Sequence, residues 1–193
     1  AALELSPDGL QSLGSTAASV GIPIFATAFD ERSADCCARL RFPALKLASG
    51  SLTDLALIRY VATFGVPVIL STGGGTMDDI DRAVETLGGC PHAILHCTAS
   101  YPLHPIEANL RVIPTLRERY PDTVIGWSSH HPGLALSLVA YTMGARIIEM
   151  HFTLNRASKG TDHGFSLEPK GLQTLVEDLE KARIAMGDGI KRF

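Results

Sequence analysis

The sequence is poor in charge and has no strong excess of either sign. Of its 193 residues, 17 are Lys or Arg and 20 are Asp or Glu, which gives a formal net charge of −3. The basic residues are scattered and form no stripe of the kind that binds nucleic acid. No apolar run approaches the roughly 20 residues that cross a bilayer, and no secretory leader is recognisable. These absences predict a cytoplasmic protein with neither nucleic acid nor membrane as a partner.

Cysteine is also scarce, and its spacing matches no metal or redox motif. Cys36, Cys37, Cys90 and Cys97 show neither C-x-x-C nor zinc-ribbon spacing. We therefore expect four reduced thiols, as is usual for a cytosolic protein.

Short apolar runs alternate with longer amphipathic runs along the chain. The short runs are rich in Ile, Val and Leu and lack in–out alternation, which is typical of parallel strands buried on both faces. They comprise residues 22–27, 44–48, 67–71, 93–97, 123–127 and 146–151. Because a helical pattern separates each pair, the sequence predicts an α/β fold with parallel strands and right-handed crossovers.

Two architectures fit this alternation, both as a single domain over residues 1–193. A TIM (β/α)8 barrel usually takes ~250 residues, so a chain with six strands would be about two units short. An open doubly wound sheet would be complete at this length. The pattern alone leaves both architectures open.

Polar residues follow the predicted strands, where parallel α/β proteins place their functional sites. A hydroxyl side chain ends or closely follows nearly every run, and three glycines come soon after Ser71. Hydroxyls, loop amides and a single lysine can hold a phosphate without a large basic patch. Each hydroxyl could instead cap the next helix. Lys46 lies inside the apolar run A-L-K-L-A, so it points inward to an anion or extends past the strand end.

Two histidines occupy matching places on consecutive predicted strands. His130 follows the fifth strand and His151 ends the sixth. Because neighbouring strands lie about 4.8 Å apart, the two imidazoles can converge on one ion. Imidazole suits Mn2+, Fe2+, Co2+ or Zn2+, and two protein ligands leave positions for water and substrate. A structural role for each histidine is the alternative.

The polar segment 159–169 follows the last predicted strand. One interpretation is a substrate loop in which Asp162 or His163 carries a proton. The other is a solvated loop that leads into the last helix.

Five stretches resemble the N-acetylneuraminate (sialic acid) synthase family, which includes legionaminic and pseudaminic acid synthases. In the family's order and spacing they are FATAFD, LKLASGSLTDLALIRYVATFGVPVILSTGGGT, AILHCTASYP, IGWSSHHPG and IIEMHFTLNRASKGTDHGFSLEP. The resemblance extends from about Leu3 to Gly187 and implies a TIM barrel, with six of its eight β/α units in this chain. It also implies a metal-dependent condensation of phosphoenolpyruvate with an N-acetylated amino sugar such as N-acetylmannosamine, with release of phosphate.

The resemblance assigns roles to individual residues. It implies that His130 and His151 bind a divalent metal, Mn2+ first, with Mg2+ or Co2+ as alternatives. The positions that hold phosphoenolpyruvate in the family are here Thr27, Lys46, Ser49, Ser71 and Ser128. Tyr101 and Asp162 correspond to positions that face the sugar. As catalytic groups, Lys46 would stabilise the leaving phosphate, and Asp162 would position sugar hydroxyls or handle a proton.

Several positions depart from the family pattern. Ser129 stands where an acidic residue is usual, Ala99 where many members have Ser or Asn, Met150 replaces Lys or Arg, and Asn155 replaces a common Asp. The motifs E-I-G-x-N-H-N-G and K-F-Q, which bring a catalytic glutamate and a second phosphate-binding lysine, do not occur in this sequence. Neither does the C-terminal antifreeze-like (SAF) domain through which full-length members form a swapped homodimer.

These departures leave two hypotheses of different class. In the first, the full-length form is an active synthase and the 193 residues alone have little activity. In the second, the chain is an inactive module that binds metal and phosphate. A different aldolase-type barrel is a third reading, but it leaves the GTDHGFSLEP loop unexplained.

Overall fold

Strands and helices alternate along the chain in the computed structural model, which describes residues 5–192. Within this range there are six β-strands and seven α-helices. The strands are β1 (Ala26–Ala28), β2 (Leu45–Leu47), β3 (Val68–Ser71), β4 (His92–Cys97), β5 (Val124–Ser129) and β6 (Ile147–Met150). The helices are α1 (Pro7–Ser19), α2 (Glu31–Arg39), α3 (Leu55–Ala62), α4 (Met77–Leu87), α5 (Val112–Arg119), α6 (Ala135–Thr142) and α7 (Pro169–Ala185). The predicted α/β alternation is therefore confirmed.

The chain forms two compact units, the first ending at Ala93 and the second beginning at Ile94. Within each unit the strands are hydrogen-bonded in chain order. In the first unit the ladders β1–β2 and β2–β3 are parallel, and in the second the β5–β6 ladder is parallel. None of the helices in the described part of the chain is both long and apolar enough to cross a lipid bilayer.

The first strand is shorter than the sequence pattern predicts. The run 22–27 was expected to be extended and buried, but β1 begins only at Ala26, and Ile22 is 63% exposed. Gly21, with φ 73°, turns the chain after α1, and Pro23 has no N–H to donate to a ladder. The sequence around the turn is apolar, but its backbone cannot join the sheet.

Strands β4 and β5 are deeply buried, whereas the residues of β6 are only half-buried. Every residue of β4 and β5 after the first is buried, including Leu95, Ile125 and Trp127. The β5–β6 register pairs Ser129 with Met150. Because His130 and His151 follow these two residues, they leave neighbouring strands at the same level.

Gly126 on β5 occupies a place where no larger residue fits. A Cβ there would lie 2.5 Å from Leu95 Cδ2, 2.7 Å from the Ile147 carbonyl oxygen and 2.8 Å from Ile147 Cβ. The carbonyl oxygen belongs to β6 and cannot retreat without disturbing the β5–β6 ladder.

We expect Gly126→Ala to lower the free energy of unfolding by about 3 kcal/mol, because overpacking here pushes against backbone as well as a side chain. Urea denaturation measures the change. Gly89→Ala is the matched control, because a Cβ at Gly89 meets nothing within 4 Å. Equal unfolding midpoints for the two variants would show that β5 and β6 can separate at no cost.

Candidate active site

Three of the predicted phosphate-binding residues share one face of the first unit's strands. In the parallel ladders Thr27 is paired with Lys46, and Lys46 with Ile69. Paired residues on adjacent strands point to the same face, and so does Ser71, two positions after Ile69. Lys46 is half-buried on this face. The topology thus gathers two hydroxyls and one ammonium on one surface.

Ser49 and Ser71 lie where the chain leaves β2 and β3. The Ser49 hydroxyl accepts a hydrogen bond from the backbone N–H of Gly73 at 3.0 Å. This bond connects the 3-10 turn Ser49–Ser51 to residues 73–75, the glycine loop. Ser71 is only 2% exposed, and its hydroxyl is buried without a hydrogen-bond partner in the described residues. An unsatisfied buried hydroxyl is costly, so this position suits a polar ligand.

The N-terminus of α4, which follows the glycine loop, is already capped. The Thr76 hydroxyl accepts from the Asp79 N–H, and the Asp79 carboxylate accepts from the N–H and hydroxyl of Thr76. These hydrogen bonds, joined by Arg82, lower the pKa of Asp79 to about 2. With Asp78 in the same turn, the helix end presents negative charge. A phosphate at this loop therefore depends on the lysine and hydroxyls, not on the helix terminus.

The second unit brings the two predicted metal ligands together. The ring centroids of His130 and His151 are 5.2 Å apart, with an interplanar angle of 72°. His130 is 4% exposed, and its Nδ1 lies 3.0 Å from the Thr98 carbonyl oxygen. Because a carbonyl can only accept, Nδ1 carries the proton and Nε2 keeps its lone pair. Burial is the main reason that the pKa of His130 is lowered, which favours the neutral ring.

This donor set fits a divalent cation. A metal-binding histidine typically donates its other ring N–H to a carbonyl or carboxylate, as His130 does. His151 Nδ1 lies 3.6 Å from the Asp162 carboxylate. Within residues 5–192, no three His, Cys, Asp or Glu side chains are arranged to hold a metal. The protein would therefore contribute two imidazoles and leave the other positions to water and substrate, as a catalytic site requires.

Aromatic rings surround the histidine pair. The Tyr101 ring lies over the His130 ring, with centroids 3.8 Å apart, and buried Phe165 lies 5.0 Å from the His151 ring. Burial raises the pKa of the Tyr101 hydroxyl, with smaller contributions from Cys97 and nearby carboxylates. The hydroxyl is therefore protonated at neutral pH and can donate a hydrogen bond.

The polar segment after β6 folds back beside the strand. Leu167 donates its N–H to the His151 carbonyl oxygen, and Thr153 donates to the Leu167 carbonyl oxygen, both at 2.8 Å. His163 Nδ1 is hydrogen-bonded to the Thr153 hydroxyl at 2.7 Å. Of the two predicted proton carriers, Asp162 is thus the one beside the histidine pair, and its half-exposed carboxylate is open to a ligand.

Ser128 and Glu149 form a pair one layer further back on the strands. They are partners in the β5–β6 register, and the Ser128 hydroxyl donates to Glu149 Oε1 at 2.8 Å. By strand alternation they share a face with His130 and His151. Glu149 was not predicted from the sequence. Like Lys46, it is a charged residue inside an apolar run, I-I-E-M, and such a residue needs a polar partner. Phe165 was not predicted to belong to the site either. The feature that could have indicated it is a single large aromatic residue within the polar segment 159–169.

Sequence comparison finds a family model and curated relatives that cover nearly all of this chain. A sequence model of the NeuB family matches residues 1–191. The N-acetylneuraminate-9-phosphate synthase of Drosophila melanogaster is 36% identical over 186 residues, which are 95% of this chain and 50% of the relative. The N,N'-diacetyllegionaminic acid synthase of Campylobacter jejuni is 35% identical over 197 residues, 98% of this chain and 58% of the relative. The chain thus spans about half the length of the curated relatives it matches.

Solved structures agree on the fold. An N-acetylneuraminic acid (sialic acid) synthetase from Leptospira borgpetersenii, in complex with citrate, has a TM-score of 0.94 at 34% identity and covers 98% of this chain and 67% of that chain. A truncated 3-deoxy-D-arabino-heptulosonate 7-phosphate synthase from Thermotoga maritima has a TM-score of 0.83 at 19% identity, covering 97% of this chain and 76% of that one. At that identity the second likeness concerns the fold alone. Together they confirm the predicted TIM-barrel class over an open doubly wound sheet.

Proposed function

The chain belongs to the NeuB family. On that premise we propose that it is the barrel part of a nonulosonic acid synthase. The reaction would join phosphoenolpyruvate to an N-acetylated amino sugar such as N-acetylmannosamine and release phosphate. The observation that carries the proposal is the pair His130 and His151, held at one level by the β5–β6 register and backed by Tyr101 and Asp162. Relatives that make N-acetylneuraminate 9-phosphate and diacetyllegionaminic acid support the substrate class.

His130 and His151 would hold a divalent metal, with Mn2+ proposed first and Mg2+ or Co2+ as alternatives. When bound, the metal would supply Lewis-acid chemistry at the sugar aldehyde. The neutral state of His130 supports this assignment, because a protonated imidazole cannot bind a cation. The Thr98 carbonyl oxygen supports it further by keeping the proton on Nδ1.

Phosphoenolpyruvate would be held by Thr27, Lys46, Ser49 and Ser71 of the first unit. In the condensation the C3 carbon of phosphoenolpyruvate forms a bond to the aldehyde carbon, and C2 is left electron-poor. Water adds at C2 and gives up one proton, while the former aldehyde oxygen takes one up. The C2–O bond to phosphate then breaks as the new C2 hydroxyl becomes the keto group and its proton leaves with the phosphate. Lys46 would neutralise the charge that the departing phosphate takes with it. The Ser71 hydroxyl has no hydrogen-bond partner among residues 5–192, which supports a phosphate contact because a ligand oxygen would satisfy it.

The sugar would contact Tyr101 and Asp162. The Tyr101 hydroxyl keeps its proton and can donate to a sugar oxygen. The Asp162 carboxylate can accept from sugar hydroxyls or take up a proton. A homodimer in the full-length form is part of the same proposal.

The test is a condensation assay on the gene product that contains these 193 residues. With phosphoenolpyruvate, N-acetylmannosamine and Mn2+, we expect the gene product to release phosphate only when both substrates are present, and to form a nonulosonic acid. A gene product that binds Mn2+ and phosphoenolpyruvate yet releases no phosphate with any N-acetylated amino sugar would instead be the inactive binding module.

A further inference from the structure

The loop that follows β4 is hydrogen-bonded near both of its ends to His130, which follows β5. Residues 98–104, the Tyr101 loop, carry the aromatic ring that covers His130. At the start of the loop, the Thr98 carbonyl oxygen accepts from His130 Nδ1 at 3.0 Å. At its end, the Leu103 N–H donates to the His130 carbonyl oxygen, also at 3.0 Å. The loop and His130 therefore fix each other.

A second histidine closes this arrangement. His131 Nδ1 lies 3.1 Å from the Leu103 carbonyl oxygen, and because a carbonyl only accepts, His131 must donate. The Ser129 hydroxyl accepts from the His131 backbone N–H at 3.2 Å. Leu103 is 2% exposed, so both of its backbone groups are paired in a place that offers little water as a substitute.

We propose that His131 is a positioning residue that locks the Tyr101 loop over His130. By holding Leu103, it keeps Tyr101 stacked on the imidazole and keeps the Thr98 carbonyl oxygen on Nδ1. Both effects act on His130, one of the two proposed metal-binding histidines, although the His131 ring itself is bonded to Leu103. The role of His130 as a metal ligand rests on the proposed function, whereas the lock on the loop does not.

The residue Ser129 fixes the backbone of His131. The Ser129 hydroxyl accepts a hydrogen bond from the His131 N–H, while the His131 ring reaches the Leu103 carbonyl oxygen. The side chain at position 131 therefore needs an N–H that can donate to the Leu103 carbonyl oxygen. The inference therefore predicts that other side chains with an N–H of similar reach can replace histidine, and that apolar ones cannot.

The first experiment needs no metal. Amide hydrogen exchange of Leu103 is measured by NMR in the wild-type chain, His131→Leu and His131→Gln. We expect His131→Leu to speed Leu103 exchange about fivefold to tenfold, the effect of losing one hydrogen bond. His131→Gln, whose amide N–H can still donate, should restore most of the protection. The Arg146 amide, bonded to the Ile125 carbonyl oxygen, is the internal control and should exchange at one rate in all three chains.

The second experiment is calorimetry with Mn2+ on the same three chains. His131→Leu should weaken binding about tenfold, as for residues that orient a metal-binding histidine, and His131→Gln should bind within about twofold of wild type. If the wild type binds no Mn2+, the proposed function fails while the exchange result still judges the lock. If His131→Leu also speeds exchange of the Arg146 amide, the substitution has loosened the fold more widely, and the comparison of His131→Gln with wild type then tests the lock. Unchanged Leu103 exchange in the Leu variant, or no rescue by Gln, would overturn the inference.

Discussion

Replacing either His130 or His151 by alanine is expected to abolish measurable Mn2+ binding, with a loss of affinity of more than about 100-fold. Changes to residues that merely orient such ligands cost about 10- to 100-fold, and removal of one of only two protein ligands should cost more. The two ring centroids are 5.2 Å apart. Among residues 5–192 no group of three His, Cys, Asp or Glu side chains could hold a metal, so no complete protein site remains when one imidazole is lost. Isothermal calorimetry of the purified chain measures the affinity.

His104→Ala is the matched control for this experiment. His104 is exposed and follows the Tyr101 ring by three residues, so its loss removes an imidazole from the same part of the chain. We expect its Mn2+ affinity to equal that of the wild type. If both alanine variants at the pair bind Mn2+ as the wild type does, the metal assignment is wrong. Circular dichroism should accompany each measurement, because buried His130 also bonds to Thr98.

Lys46→Met should weaken phosphoenolpyruvate binding by about 10- to 150-fold. This range corresponds to the loss of one hydrogen bond to a charged group, about 1.5–3 kcal/mol. Methionine keeps the length and the apolar stem of the lysine, so the packing on β2 is largely preserved. Binding is measured by calorimetry with phosphoenolpyruvate and, separately, inorganic phosphate. Lys170→Met is the control, because that ammonium is exposed on α7 and hydrogen-bonds to nearby Gln173.

Ser71→Ala gives an independent arm of the same experiment. Its hydroxyl is buried without a partner in the described residues, so its removal should leave the unfolding midpoint unchanged or slightly raised. Affinity for phosphoenolpyruvate should nevertheless fall. A variant that loses stability while binding normally would show that the hydroxyl serves the fold. If Lys46→Met and Lys170→Met bind phosphoenolpyruvate equally well, Lys46 does not hold the phosphate.

The alternation of apolar and amphipathic runs predicted six parallel strands, and all six are present. That succeeded because strands buried on both faces need continuous apolar sequence, a local property. The prediction for residues 22–27 was wrong at its start, where Gly21 and Pro23 prevent ladder pairing. Barrel and open sheet share this alternation, so the residue pattern alone left both open. The ordered family motifs favoured the barrel, and structural similarity confirmed it.

The candidate site divides in the same way. Sequence alone determined which chemical groups stand at the strand ends, including Lys46 within its apolar run and the histidines after β5 and β6. Equal depth of His130 and His151 could be inferred, because strand spacing and register are regular.

Tertiary structure decided the rest. Glu149 became part of the site through its bond to Ser128, and Phe165 through burial against His151. His131 gained a role only because its ring reaches Leu103, 28 residues earlier in the chain. Such contacts depend on the path of irregular loops and on which carbonyl is left to accept, and neither has a period that a sequence can display.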